Sequence, residues 1–86
     1  MSTPYERAEK MELLLEKAAD LLAAASYLKN NSTDENEKEQ YNKLFCDIYE
    51  LKENILSCNT MAELNDIDAS FQEQKANIEK ECDFFD

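Results

Sequence analysis

The chain contains no glycine, no histidine and no tryptophan, and only one proline. Each absence removes a class of chemistry. Loops that wrap phosphate, whether Walker-type or dinucleotide-binding, need glycine so that backbone N–H groups can close on the anion. The nucleophile elbow of the α/β-hydrolases also uses flanking glycines. Without histidine the usual general base near neutral pH is missing, and so is the commonest transition-metal ligand. Cys46, Cys58 and Cys82 form an odd set spaced twelve and twenty-four residues apart, which matches no zinc template. Unpaired thiols of this kind fit a reduced, cytoplasmic setting with the cysteines buried.

Long hydrophobic runs are also lacking: none approaches the roughly eighteen residues that a spanning helix needs. Glu6, Arg7, Glu9 and Lys10 leave no room for the apolar region of a signal peptide. The sequence therefore points away from an enzyme, from any bound cofactor or metal, and from a membrane. Paired carboxylates could be drawn almost anywhere on so acidic a chain, but none is set apart by a cleft-forming pattern. Residues 66–70 place oxygens at positions 1, 3 and 5 of a calcium loop. Phe71 then stands where the loop's sharp turn demands glycine, and Asn77 where a bidentate glutamate belongs. Solvated helix surface is the better reading.

The last scarcity is of positive charge, with nine Lys and Arg against twenty Asp and Glu, for a net charge of −11. Such a surface repels nucleic acid and anionic membrane, and attracts basic surfaces.

What the chain has in place of these features is helix-forming pattern. Three times a Ser or Thr is followed three residues later by Glu, ahead of an apolar run: Thr3 and Glu6, Ser32 and Glu35, Thr60 and Glu63. In such a capping box the hydroxyl accepts from the backbone N–H three residues on, and the carboxylate reaches back to the cap's own N–H. Pro4 sits at the first helical position, where its missing N–H costs nothing. Met11, Leu14, Leu15, Ala18, Leu21, Leu22, Ala25 and Leu28 then follow the 3.6-residue period. Leu13, Ala19, Ala23 and Ala24 widen that stripe, as expected of a helix covered on two sides.

Helix 2 carries Tyr41, Leu44, Phe45, Ile48, Leu51, Ile55 and Cys58. Helix 3 carries Met61, Leu64, Ile67, Phe71, Ile78, Cys82 and Phe85, interrupted at Gln74 and Lys75 with a candidate break near residues 66–70. With glycine absent, Asn30, Asn31 and Asn59 are the natural residues to end helices in the left-handed conformation.

The expected fold is all-α: one helical domain over residues 1–86, with helices at about 4–29, 34–57 and 61–83. Connections of a few residues favour antiparallel neighbours. The result is an up-down-up three-helix bundle in which helix 1 is the most buried. The alternative is a helical hairpin whose third helix docks on a second copy. A chain this short buries only about 60–65% of its unfolded surface, so good helix packing or a partner must supply its stability.

The charge is uneven. Residues 1–33 carry a net −1, residues 34–57 a net −4, and residues 58–86 a net −6. Spread along about 36 Å of shared helix axis, the last two segments reach at most the charge spacing of one DNA strand, roughly 3.4 Å per charge. The sequence thus suggests a small acidic inhibitor that occupies the basic, nucleic-acid-binding surface of a partner protein. Some phage and mobile-element proteins block restriction and CRISPR enzymes in this way, a likeness of physical type rather than of motif. Asp47, Glu50, Glu53, Asp66, Glu73, Asp83 and Asp86 lie off the apolar stripes and are the candidate contacts. The alternative is a non-catalytic adaptor, chaperone or self-assembling subunit. It would bind through apolar helix surface at Ile78, Cys82, Phe84 and Phe85, with Ile78, Cys82 and Phe85 at groove-anchor spacing. The partner is a protein in either case, with a homodimer as one form of the second; direct contact with nucleic acid is not expected.

Overall fold

The structure, a computed structural model, describes residues 3–81. Three helices make up the described residues, with no strand: α1 (Pro4–Asn31), α2 (Glu35–Ile55) and α3 (Met61–Glu79). Two of the three starts use the expected caps. Thr3 Oγ1 accepts from the Glu6 N–H at 3.1 Å, and Thr60 Oγ1 from the Glu63 N–H at 3.2 Å. At Thr60 the box closes differently from expectation, because the hydroxyl itself donates to Glu63 Oε1 at 3.0 Å.

The middle start departs from the sequence reading. Ser32 is the C-cap of α1, its N–H donating to the Lys29 carbonyl, and Asp34 caps α2 by accepting from the Asn36 N–H at 2.8 Å. A charged carboxylate accepts more strongly than a hydroxyl and suits the positive end of a helix dipole. Ser32 Oγ instead donates to Glu37 Oε2 at 2.9 Å. The asparagines also act otherwise than expected, for no described residue has positive φ. Asn31 serves the end of α1 with its side chain, Nδ2 donating to the Tyr27 carbonyl at 2.7 Å, while Ser32 leaves the helix in an extended conformation.

α1 is the central element of an up-down-up bundle, packing on both α2 and α3, which touch each other far less. It contributes half of the buried core: Leu14, Ala18, Leu21, Ala24, Ala25 and Leu28. Ile48 and Ile55 enter from α2, and Leu64, Ile67, Phe71 and Ile78 from α3. The buried alanines carry no bulk beyond Cβ, so the neighbouring axes can approach closely. Of the residues that widen the α1 stripe, only Ala24 joins this core. Leu13, Ala19 and Ala23 are exposed, because two neighbours cover only the arc of α1 that faces them.

α3 is unbroken through residues 66–70 and lies on α1 of its own chain, as in the three-helix bundle rather than the docked hairpin. The helix ends at Glu79, with the Lys80 N–H still donating to the Ala76 carbonyl at 3.3 Å; residues 82 and 83 of the expected span lie outside the described residues. Ser70, whose Oγ donates to the Asp66 carbonyl at 3.2 Å, is accommodated within the helix by that bond.

Candidate functional site

The acidic residues of α3 fall on two faces with different surroundings. On the face toward α1, Asp68 receives Lys10 Nζ at 2.6 Å and Lys17 Nζ at 2.7 Å. Lys10 and Lys17 are seven residues apart, two turns along one face of α1, so a single carboxylate can lie between them. Hydrogen bonds from Lys10 and then Lys17 hold the Asp68 carboxyl below its ordinary value. One negative charge of α3 and two positive charges of α1 are thereby spent inside the bundle.

On the opposite face, α3 approaches α2 loosely and leaves a groove open to solvent. Asp47, Glu50, Leu51 and Asn54 line it from α2, and Ser70, Glu73 and Gln74 from α3. Residues 47, 50, 51 and 54 share one face of a helix at 3.6 residues per turn, as do 70, 73 and 74. Three of the candidate acids, Asp47, Glu50 and Glu73, are thus brought together. All three are exposed, and among the described residues no lysine or arginine lies within ion-pair distance of them. The ion pairs elsewhere are within one helix: Lys38 with Glu35 and Lys75 with Glu79, each at 3.9 Å.

The other candidates are dispersed. Glu53 is exposed but lies on the far side of α2, beside Phe45, Cys46, Tyr49 and Glu50. Asp66 is exposed on α3 outside the groove lining. Asp83 and Asp86 lie outside the described residues, as do Cys82, Phe84 and Phe85 of the apolar alternative. Ile78, the remaining member of that alternative, is fully buried in the core and cannot anchor a partner.

Asn54, Ser70 and Gln74 line the groove without having been singled out from the sequence. Gln74 was legible as an interruption of the α3 stripe, three residues beyond Phe71. A polar residue at that position is the signal that α3 meets solvent there rather than core.

The cysteines also divide. Cys46 is exposed, contrary to the expectation of burial, since two residues before Ile48 is the opposite face of the helix. Cys58 is half-buried, its Sγ donating to the Asn54 carbonyl at 3.2 Å. Burial and, secondarily, the Glu63 carboxylate push that thiol's pKa up, which disfavours the reactive thiolate. A hollow between α1 and α3, floored by Phe71 and edged by Lys17, Asp20 and Lys75, holds only about 90 Å³. Small-molecule sites generally occupy roughly 300–1,000 Å³, so this hollow does not enclose one. No helix among the described residues is long and apolar enough to cross a membrane.

Among the described residues, the distinctive surface of this small helical bundle is a cluster of exposed carboxylates outside any ion pair. Its sequence matches the profile of the bacterial epsilon antitoxins over residues 3–80, and the chain belongs to that family. An antitoxin works by binding and inhibiting a toxin, so the chain is a protein-binding inhibitor rather than a catalyst. No curated protein and no solved structure matches it.

Proposed function

We propose that this chain silences a toxin protein in the cytoplasm by laying its anionic α2–α3 face on a basic surface that the toxin needs for its activity. The observation that carries this reading is the cluster of Asp47, Glu50 and Glu73 around one groove, exposed and with no Lys or Arg within ion-pair distance among the described residues. Exposed carboxylates without an internal partner can receive Lys or Arg from another protein without breaking a bond within the bundle. Complementary charge of this sort speeds encounter and sets orientation. In the finer form of the proposal, the covered surface is one with which the toxin engages nucleic acid. The concentration of net charge beyond residue 33 supports it.

The test compares the chain with a D47K/E50K/E73K variant as bait in lysate of the native host, each at 50 and 200 mM salt. The proposal expects a toxin captured by the unaltered chain at low salt and lost from the variant. Equal capture by both would refute it. Adding duplex DNA to the captured complex separates the finer form: release of the antitoxin supports a shared surface, and an unaffected complex removes nucleic acid from the account. A gel shift at low salt should show no direct binding of DNA or RNA by the chain itself.

A further inference from the structure

α1 is longer than the helix folded back along it. Its 28 residues span about 42 Å, and the 21 residues of α2 about 32 Å. Only residues 32–34 join the two, so α2 sets off level with the end of α1 and stops about 10 Å short of its start. The first turns of α1, residues 4–10, therefore lie beyond α2. None of their side chains is fully buried. Met11 is the first apolar side chain of α1 to pack against the core, and Leu14 the first to be closed off from solvent. Tyr5, 71% exposed, rides near the outer end of these turns.

Asp68 reaches this stretch from α3. Its Oδ2 accepts from Lys10 Nζ and its Oδ1 from Lys17 Nζ. The two lysines stand in different settings. Lys17 lies in the packed part of α1, between buried Leu14 and Ala18, whereas Lys10 precedes every residue of the core. One carboxylate thus ties the uncovered turns to the covered ones through another helix. The side chains of Lys10 and Asp68 are each 21% exposed, so salt screens them less than a surface pair. Two cations on one anion also differ from the isolated exposed pair that contributes little.

We infer that Asp68 is a positioning residue, the latch of an amino-terminal arm: by holding Lys10 it keeps residues 4–10 helical and in line with the bundle. With the latch closed, these turns extend the bundle as a rigid rod that carries Tyr5 at a fixed place. With it open they fray, because about two turns of helix have too few hydrogen bonds to persist alone. From Leu14 onward α1 keeps its packing in either state. The Thr3 cap opposes fraying, but it moves with the arm and cannot fix the arm's direction. Lys17 serves the latch indirectly, by holding Asp68 against α1.

The test reads Cα chemical shifts along the full chain, labelled with carbon-13, in Lys10→Gln, Lys17→Gln and Lys10→Arg. Lys10→Gln should raise the frayed fraction of residues 4–10 about fivefold, the worth of one partly exposed charge-assisted hydrogen bond. It would appear as shifts of residues 4–10 moving toward coil values while those of residues 14–28 stay in place. Lys10→Arg keeps a cation on Asp68 and should restore most of the helical shift. Lys17→Gln should give a smaller change at the arm. Helical shifts that survive Lys10→Gln would overturn the inference, since the cap and local propensity would then hold the arm unaided. So would shifts that move equally over residues 14–28, the mark of a general loss of stability. A Lys17→Gln chain whose arm loosens as much as that of Lys10→Gln would overturn it as well.

Discussion

The two seams of α3 are made from the same kinds of residue and behave in opposite ways. Toward α1, Asp68 is gripped by Lys10 and Lys17, and Phe71 is sunk in the core beside it. Toward α2, Glu73 and Gln74 face Asp47, Glu50 and Asn54 across open solvent, with no cation lining the groove among the described residues. A seam that must hold the fold brings opposite charges together over apolar contact. Where like charges are left facing one another, the fold gains nothing from them, and on the proposed reading they are kept for a partner. The comparison separates acids that serve the structure from acids available to a partner.

The largest effect should come from the floor of the closed seam. Phe71→Ala removes a fully buried ring and should cost about 3–5 kcal/mol. A chain of this size has only about 4–13 kcal/mol in all, so thermal melting should show it largely unfolded or severely destabilised. The D47K/E50K/E73K variant should do the reverse. Its melting transition should correspond to a change within about 0.5 kcal/mol, since the exposed acids make no ion pair among the described residues, while toxin binding falls by about a hundredfold or more in a calorimetric titration. A marked loss of stability in that variant would mean that the groove is structural and would erase the distinction between the seams.

Asp68→Asn should fall between these. It gives up two charge-assisted hydrogen bonds, but the pair is partly exposed, so about 1–2 kcal/mol is expected by chemical denaturation. This residue also sets a pH dependence. Its pKa in the folded chain lies below the ordinary 3.8, so its contribution is complete above that value and is lost as the pH falls from about 3.8 through the lowered folded pKa. The Asn variant should lack that part of the acid limb. The smallest effect belongs to the caps: Thr60→Ala should cost about 1 kcal/mol of stability and leave toxin binding unchanged, as α3 keeps its packing.

The three helices were legible in the sequence because each local signal agreed with the next. Thr3 with Pro4, the Leu14 to Leu28 stripe, and Thr60 ahead of Leu64 and Ile67 all specify helix at several levels at once. The connection around Ser32 was not, because Ser32, Thr33 and Asp34 are three capping residues in a row, and the capping-box spacing pointed to Ser32 whereas the stronger acceptor, Asp34, makes the cap. The acidic surface was legible as net charge, but its division was not. Asp66 and Asp68 are two residues apart, yet one is left to solvent and the other joins two lysines of α1. That pairing depends on Lys10 and Lys17 lying opposite residue 68, a relation of tertiary register that no local pattern carries. Phe45 and Ile78 show the same limit. Both sit on apolar stripes, but Ile78 is closed over by the bundle, whereas Phe45 is left half-buried at an edge.

The most direct test is the affinity of the purified chain for its toxin measured from 50 to 200 mM salt. Over that range the screening length shrinks from about 14 to about 7 Å. A groove of unpaired carboxylates meeting a basic surface should lose about tenfold or more in affinity, and the D47K/E50K/E73K chain should have little left to lose. Affinity that stays level across the range, in a complex the charge-reversed chain forms equally well, would contradict the account.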